Sequence, residues 1–409
     1  MNRYSAPLAV ILLSSALNAG GPVYSRYGYG DLLYYNGSRS FALGGGGFGL
    51  LGDNFIGRMN PASLAQITKT RFSAGFDFNR YATESSTGSS TFARAAFQGM
   101  AFATPIDKDY GIVFSFDATP YSAVSYALQR EDTTGNVQST QKYFGAGGLS
   151  TLSLSASVSA SQKVHLGMKF QYYFGRTNQL TKIDFSQGDR ADYNIDKSIF
   201  YGGVGLTVGA VLEDVGTLFQ VPSLDHVNVG FVLTTPVKLH ANEETSFSIV
   251  SDTIFSRSGT SDLPFGVGAG LAYRATERTT IVADIYAQQW SGIAFYSSLP
   301  NFQPQNSVRL SGGAEFLPSR DAVGYWQRIV YRAGASYHNT YYNINGQGIG
   351  EALLTAGLGM PLSGDARLNI GLQAGVRGTT AKGLQRDTIV RLSLAIAGSE
   401  LWFLKFEDE

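Results

Sequence analysis

The sequence predicts an all-β fold: a 14-stranded antiparallel transmembrane β-barrel with an N-terminal hatch (plug) segment inside the lumen. Three observations carry this expectation. The chain opens with a leader-like apolar stretch, its later part alternates apolar and polar residues over long runs, and it is poor in charge but rich in glycine and aromatic rings.

The composition sets the limits. Of 409 residues, 31 are Lys or Arg and 31 are Asp or Glu, so the formal net charge is zero. A chain with no positive excess lacks the field that draws nucleic-acid phosphates, and no nucleic-acid partner is expected. With no cysteine there are no disulfides and no thiolate metal sites. The hydrophobic fraction of 44% is too high for a disordered chain. Charged residues make up 15%, against about 25% in an ordinary soluble domain. Mean hydropathy near zero with so little charge points to alternation rather than to separate apolar blocks.

Residues 1–20 read as a secretory signal peptide. Arg3 supplies the positive start, Ala6–Leu13 begins the apolar core, and Ala16-Leu17-Asn18-Ala19-Gly20 offers small residues for cleavage. The apolar stretch is shorter than the roughly 20 residues of a membrane-spanning helix. No later run is long enough for one either.

Period-two patterning dominates the rest. Leu152, Leu154, Ala156 and Val158 alternate with Ser153, Ser155, Ser157 and Ser159. Leu368, Ile370, Leu372, Ala374 and Val376 alternate with Arg367, Asn369, Gly371, Gln373, Gly375 and Arg377. A helix would scatter these residues around its axis, whereas a strand sends them to opposite faces. Fourteen such segments are expected, near 70–82, 92–105, 110–130, 137–160, 163–184, 193–212, 226–240, 263–274, 278–292, 305–317, 328–343, 350–361, 365–378 and 387–404.

A soluble sandwich or propeller would also show alternating strands. Its polar face, however, should carry many Lys and Glu; here that face is Ser, Gly, Gln, Asn and Arg. The segments also exceed the roughly 5–6 residues of soluble strands, and suit the about 9–11 needed to cross a bilayer at a tilt. Only a closed barrel satisfies every strand edge in lipid. Short turns such as Ser161–Lys163 and Ala275–Arg278 then belong to the periplasmic end. The longer connections Thr177–Asn194, His240–Asp262 and Gly292–Pro304 belong to the outside. Val211–His226 is long for a periplasmic turn. Trp290, Trp326, Tyr341-Tyr342 and Trp402-Phe403 sit at strand ends and are expected as interfacial girdles.

The organisation expected is therefore a signal peptide (1–20), a hatch (21–68) and a barrel (69–406). The hatch does not alternate. Gly44–Gly47 is no phosphate loop, because no Lys-Ser/Thr follows; such glycines let backbone approach a wall closely. Asn60-Pro61 predicts a turn leading into one helical turn over Ala62-Ser63-Leu64-Ala65.

The run Ser38-Arg39-Ser40-Phe41-Ala42-Leu43-Gly44-Gly45-Gly46, then Asp53, then Asn60-Pro61-Ala62-Ser63-Leu64-Ala65, resembles the hatch of the FadL/TodX family of outer-membrane transporters for long-chain fatty acids and aromatic hydrocarbons. Tyr331-Arg332-Ala333-Gly334, Arg377-Gly378-Thr379-Thr380 and the stretch from Arg391 to Trp402-Phe403 also resemble FadL-like barrels of Bacteroidetes, a group that includes PorV-type proteins of type IX secretion. The resemblance implies a bacterial outer-membrane location and passive uptake of hydrophobic, fatty-acid-like molecules. It makes Asn60, Pro61 and Ala62 the hatch motif. It also implies a kinked third strand with a lateral exit. Pro120 is the candidate kink, since proline cannot donate to a regular ladder.

The alternation turns Asp77, Arg94, Asp117, Lys169, Asp284, Arg309, Glu315, Arg332, Arg367, Arg377 and Arg391 toward the lumen. These residues form a charge lattice, paired with Asp31, Arg39, Asp53 and Arg58 of the hatch. Alternatively, some of Arg309, Arg332, Arg367, Arg377 and Arg391 hold a substrate carboxylate, which matches the guanidinium fork. His165 near Ser153–Ser159 suggests a hydrolase, but no nucleophile elbow is present and no enzyme activity is expected. No metal site and no cofactor are expected. The apolar loop Ile293–Phe302 is a candidate surface for substrate capture. The partners expected are outer-membrane lipid and a hydrophobic small molecule. The alternative is a PorV-like scaffold or shuttle that binds secreted or surface proteins.

Overall fold

A computed structural model describes residues 22–400, apart from 35–36, 87, 133–137, 187–191, 248–252, 300 and 320–323. The expected leader and the pair Trp402-Phe403 lie outside the described residues. Fourteen wall strands follow a hatch: β1 (Thr70–Ser85), β2 (Gly88–Asp107), β3 (Ile112–Pro120 and Ser122–Asp132), β4 (Ser139–Ser161), β5 (Val164–Phe185), β6 (Tyr193–Leu212), β7 (Val227–Thr234 and Val237–Phe247), β8 (Thr253–Leu263 and Gly266–Thr276), β9 (Thr279–Gln288), β10 (Ser307–Phe316), β11 (Val330–Ile344), β12 (Gln347–Pro361), β13 (Arg367–Gly378) and β14 (Arg386–Glu400). β14 pairs with β1 from Glu400↔Thr70 to Arg386↔Glu84, which closes the cylinder. Among the described residues no helix is long and apolar enough to cross a membrane.

The alternation has the expected phase. Leu154 is 62% exposed on the outer face, while its neighbour Ser153 is 1% exposed on the inner one. Phe76, Phe170, Leu310 and Ile396 likewise face outward, and Asp77, Lys169, Arg309 and Arg391 are buried within. An apolar outer belt around a polar lumen is what lipid and water on opposite faces of one sheet select.

Strand length matches the segments expected near 137–160 and 163–184. β4 has 23 residues and β5 has 22, roughly twice the about 9–11 that cross a bilayer. Most of Thr177–Asn194 is therefore strand rather than loop. His240–Asp262 is likewise largely the hairpin of β7 and β8. Its residues, among them Asn242, Glu243, Glu244, Ser256 and Arg257, offer no apolar face. Strand that projects beyond the lipid needs none, so the period-two signal vanishes there. These arms define one end of the barrel, and the short turns define the other.

The long turn-end connection after β6 holds helix Val215–Phe219 and a 3-10 turn at Pro222–Leu224. Asp214 organises it by accepting Lys163 Nζ (2.8 Å), Thr217 Oγ1 (2.5 Å) and the His226 amide (2.9 Å). The Lys163 bond, followed by the other two, holds the Asp214 carboxyl well below the usual carboxylate range.

Two further expectations are corrected. Trp290, Tyr341 and Tyr342 are not an interfacial girdle; all three are fully buried in the lumen. Nor is the Ile293–Phe302 loop a free capture surface. Phe302 is buried and Phe295 half-buried in the same aromatic cluster, which also takes Tyr24, Tyr27 and Tyr29 of the hatch. The Trp290 and Tyr341 rings stack at 4.6 Å. Aromatics at strand ends look alike in sequence whether they face inward or outward. Trp326, 72% exposed at the turn end, does face outward.

Candidate functional site: the hatch, a wall gap and two cavities

The hatch threads the lumen and is tied to the wall at several levels. Asn60 caps the 3-10 helix Pro61–Gln66 by accepting the Ala62 amide (3.1 Å). Its Nδ2 donates to the Phe48 carbonyl (2.8 Å) and to the Ala210 carbonyl of β6 (3.1 Å). Asn60 thus joins both hatch segments to the wall, with Pro61 at the helix start where its missing amide hydrogen is no loss. Ala62 is fully buried. The wall yields at Gly167 and Gly209: a Cβ on the first would stand 2.3 Å from the Ala62 nitrogen, and one on the second 2.0 Å from Asn60 Oδ1.

Arg309 and Asp284 clamp the glycine run. Arg309 donates to the Gly44 and Gly45 carbonyls, and Asp284 accepts the Gly47 and Phe48 amides. Nearer the arm end, Arg377 donates to Asp31 of the hatch (2.7 Å) and to Asp387 (3.0 Å), with Glu351 at 3.9 Å. Arg391 reaches Glu351 at 3.3 Å. Glu315 lies between Arg39 of the hatch (2.8 Å) and Arg332 (2.7 Å). Arg367 lines a cavity at the turn end. Arg309, Arg332 and Arg377 thus each bond hatch backbone or a carboxylate.

The third strand breaks where the sequence places Pro120. β2 pairs with β3 only from Asp107↔Ile112 to Met100↔Ala118. Beyond the break at Tyr121, the Ser122–Asp132 half pairs with β4 but not with β2. Its vacated edge is taken by the hatch, whose short strand Asp31–Leu32 pairs Asp31↔Ala123 and Leu32↔Ser122. Ser25 adds bonds to both the amide and the carbonyl of Ser125. The wall therefore has a gap beside β2 that the N-terminal segment stops from within.

A cavity of about 120 Å³ lies behind this break, lined by Pro120, Tyr121, Tyr34, Lys169, Tyr286 and Arg309 among others. Thr235 and Pro264 also line it, at the breaks in β7 and β8. All three wall breaks therefore open onto one space. A second cavity, of about 90 Å³, lies on the turn side of the hatch. Arg58 and Met59 line both cavities and so form the partition between them. Alternation and motif spacing do not single out Pro236, Pro264, Arg71 or Met59. A proline inside an alternating segment is the signal that marks the first two.

His165 accepts or donates at 2.9 Å to Ser159 Oγ through Nδ1, and at 3.1 Å to Glu213 through Nε2. Neither cavity is lined by Ser159, and Gln66 of the hatch also bonds Glu213. The trio ties the hatch to the turn end.

Comparison with solved structures extends over nearly the whole chain. The toluene transporter TbuX of Ralstonia pickettii matches with a TM-score of 0.60 and 19% identity, covering 90% of this chain and 99% of that one. The monoaromatic hydrocarbon channel CymD matches at 0.60 and 14%, covering 90% and 98%. A FadL homologue of Pseudomonas aeruginosa matches at 0.58 and 13%, again covering 90% and 98%. At such identity these likenesses establish the FadL/TodX barrel fold. No curated protein sequence matches. A family model described as BamG matches residues 5–407, and the chain accordingly belongs to the BamG family.

Proposed function

We propose that the protein resides in the bacterial outer membrane and passes small hydrophobic molecules by gradient, between its lumen and the bilayer, through the gap beside β3. One observation carries this reading: above Pro120 the wall has no β2–β3 ladder, and the hatch strand Asp31–Leu32 fills the vacancy. The cavity behind the break supplies a waiting place of mixed polarity, with Tyr34, Tyr121 and Tyr286 beside Lys169 and Arg309. Asn60, Pro61 and Ala62, with the Arg309 and Asp284 clamp on Gly44–Phe48, hold the later part of the hatch in place, so the movable portion is the segment that precedes Gly44. Transport of toluene by TbuX, and of monoaromatic hydrocarbons by CymD, sets the substrate class to try first. Fatty-acid-like molecules come second.

The test uses the absence of native cysteine. Leu32→Cys with Ser122→Cys places two thiols on paired residues. Cells lacking the native copy and carrying this variant should take up labelled toluene when the pair is reduced and fail when it is oxidised. Equal uptake in both states rejects the gap as the route.

A second reading, a scaffold or shuttle for secreted or surface proteins, draws support from the arm end. There Trp290, Tyr341, Tyr342 and Phe302 pack against the hatch and fill the mouth. It predicts stoichiometric co-purification of protein partners and uptake that does not change on deletion.

A further inference from the structure

Another cavity, of about 210 Å³, lies at the arm end, enclosed by the hatch, the β3–β6 wall and the loop Ser297–Leu299. It shares no lining residue with the cavity behind Pro120. The buried aromatic cluster stands between the two: Tyr173 and Leu263 line the lower space, Tyr201 and Ile199 the upper one. The arm-end cavity is therefore off the route through the wall gap.

Its lining combines fixed rings with neutral polar groups. Tyr126 of β3 pairs with Gly145 of β4, where a Cβ would stand 2.0 Å from the tyrosine ring. The ring is thus seated on bare backbone. Tyr201 is held edge-on by Tyr29 at 5.7 Å, and the Tyr143 hydroxyl donates to Gln141 Oε1 at 2.5 Å. Gln179 of β5 continues the row of Tyr126 and Gly145, and Thr181 and Ser298 line the same space. Among the described residues none of these three side chains has a hydrogen-bond partner.

Arg26 of the hatch is the one charged residue among the described lining. Its guanidinium lies over the Tyr27 ring at 5.2 Å and makes no ion pair among the described residues. Glu243, near Tyr201, is already engaged by Lys197 (2.8 Å). A hydrocarbon would leave the amide and hydroxyl groups unmatched. A pyranose ring matches both halves of the lining: its C–H face lies on a tyrosine, and its hydroxyls meet donors and acceptors at the edge. The free guanidinium fork adds a place for a carboxylate.

We infer that this pocket binds an acidic sugar. A hexuronate ring stacks on Tyr126, its hydroxyls meet Gln179, Thr181 and Ser298, and its carboxylate meets Arg26. The inference concerns recognition at the arm end and stands whether or not the wall gap carries transport.

The full-length protein in phosphatidylcholine nanodiscs is titrated with D-galacturonate and followed by saturation-transfer difference NMR. Galactose, which lacks the charge, and cyclohexanecarboxylate, which lacks the hydroxyls, serve as comparators. D-Galacturonate should bind, galactose should bind more weakly, and cyclohexanecarboxylate should not bind. Arg26→Gln should weaken D-galacturonate by about tenfold and leave galactose unchanged. Tyr126→Ala should abolish the saturation transfer, and Tyr126→Phe should keep it. Heat-modifiable gel mobility reports whether each variant is folded. If Tyr126→Ala fails to fold, Gln179→Leu, which keeps the volume and loses the amide, provides the test: both sugars weaken. Trigalacturonate distinguishes the sources. Binding tighter than that of the monomer assigns the end of a glycan chain to the site, and equal or weaker binding assigns the free sugar. Cyclohexanecarboxylate binding as tight as that of D-galacturonate overturns the site. So does the absence of sugar binding, or a folded Arg26→Gln with unchanged affinity for D-galacturonate.

Discussion

Pro236 stands directly opposite Pro264 in the wall. β7 and β8 pair Thr234↔Gly266 on one side of their breaks and Val237↔Leu263 on the other, with no slip between them. Neither proline can donate an amide hydrogen, so the ladder lapses for two residues in both strands at once. Replacing both by valine should let the ladder run through. Stability should rise by about 1 kcal/mol, and the new amides at positions 236 and 264 should be protected in hydrogen-exchange mass spectrometry. Rapid exchange there would mean that the surrounding packing, not the prolines, keeps the strands apart.

Arg377 is 3% exposed and neutralises Asp31 and Asp387, with Glu351 close by. Arg377→Met leaves those carboxylates buried without it, a loss of about 3–5 kcal/mol. The folded, heat-modifiable band should shrink accordingly. Asp31→Asn should be milder and local: the barrel folds, but protease reaches the segment before residue 33.

The hatch motif acts through geometry. Asn60→Ala removes a cap and two bonds to carbonyls, and about 1–2 kcal/mol of hatch anchoring with them. Gly209→Val pushes a side chain into the space of Asn60 Oδ1. Both variants should speed limited proteolysis near Ile56–Met59 while leaving barrel closure intact. A hatch that stays equally protected in both would assign its anchoring to other contacts.

Acid should loosen the connection after β6, but late. The Asp214 carboxyl is depressed by Lys163, Thr217 and the His226 amide. Its contribution is therefore complete above the unfolded value of about 4 and fades only as pH falls through the lower folded value. Exchange protection over 213–226 should hold from neutral pH to about 4 and drop below it. Asp214→Asn should show the loosened pattern already at neutral pH.

The barrel was legible because lipid and lumen impose opposite chemistry on successive residues. That is why the order of residues alone assigns Leu152–Val158 and Leu368–Val376 to wall strands and tells which side chains point to lipid. The projecting arms were not legible, because Asn242–Glu244 and Ser256–Ser258 carry polar residues on both faces and so show no contrast. Pro120 announced a break, but its new neighbour, Asp31–Leu32, lies about ninety residues away and follows no local rule. The destinations of Arg309 and Arg377 were half legible. Alternation aimed them inward, yet only the path of the hatch decides that one meets glycine carbonyls and the other Asp31. Trp290 and Tyr341-Tyr342 misled for the same reason, since rings at a strand end do not reveal which side they take.

The strand Asp31–Leu32 serves as the missing neighbour of Ser122–Asp132, and this has a bearing on biogenesis. The hatch strand, made before the wall, must wait until the third wall strand has bent inward before it has anything to pair with. Sealing of the cylinder at β14 and β1 and capture of the leading segment are then coupled events. A barrel that zips shut too soon would trap its own stopper outside, so whatever inserts this protein has to hold the seam open until the head of the chain has been drawn in.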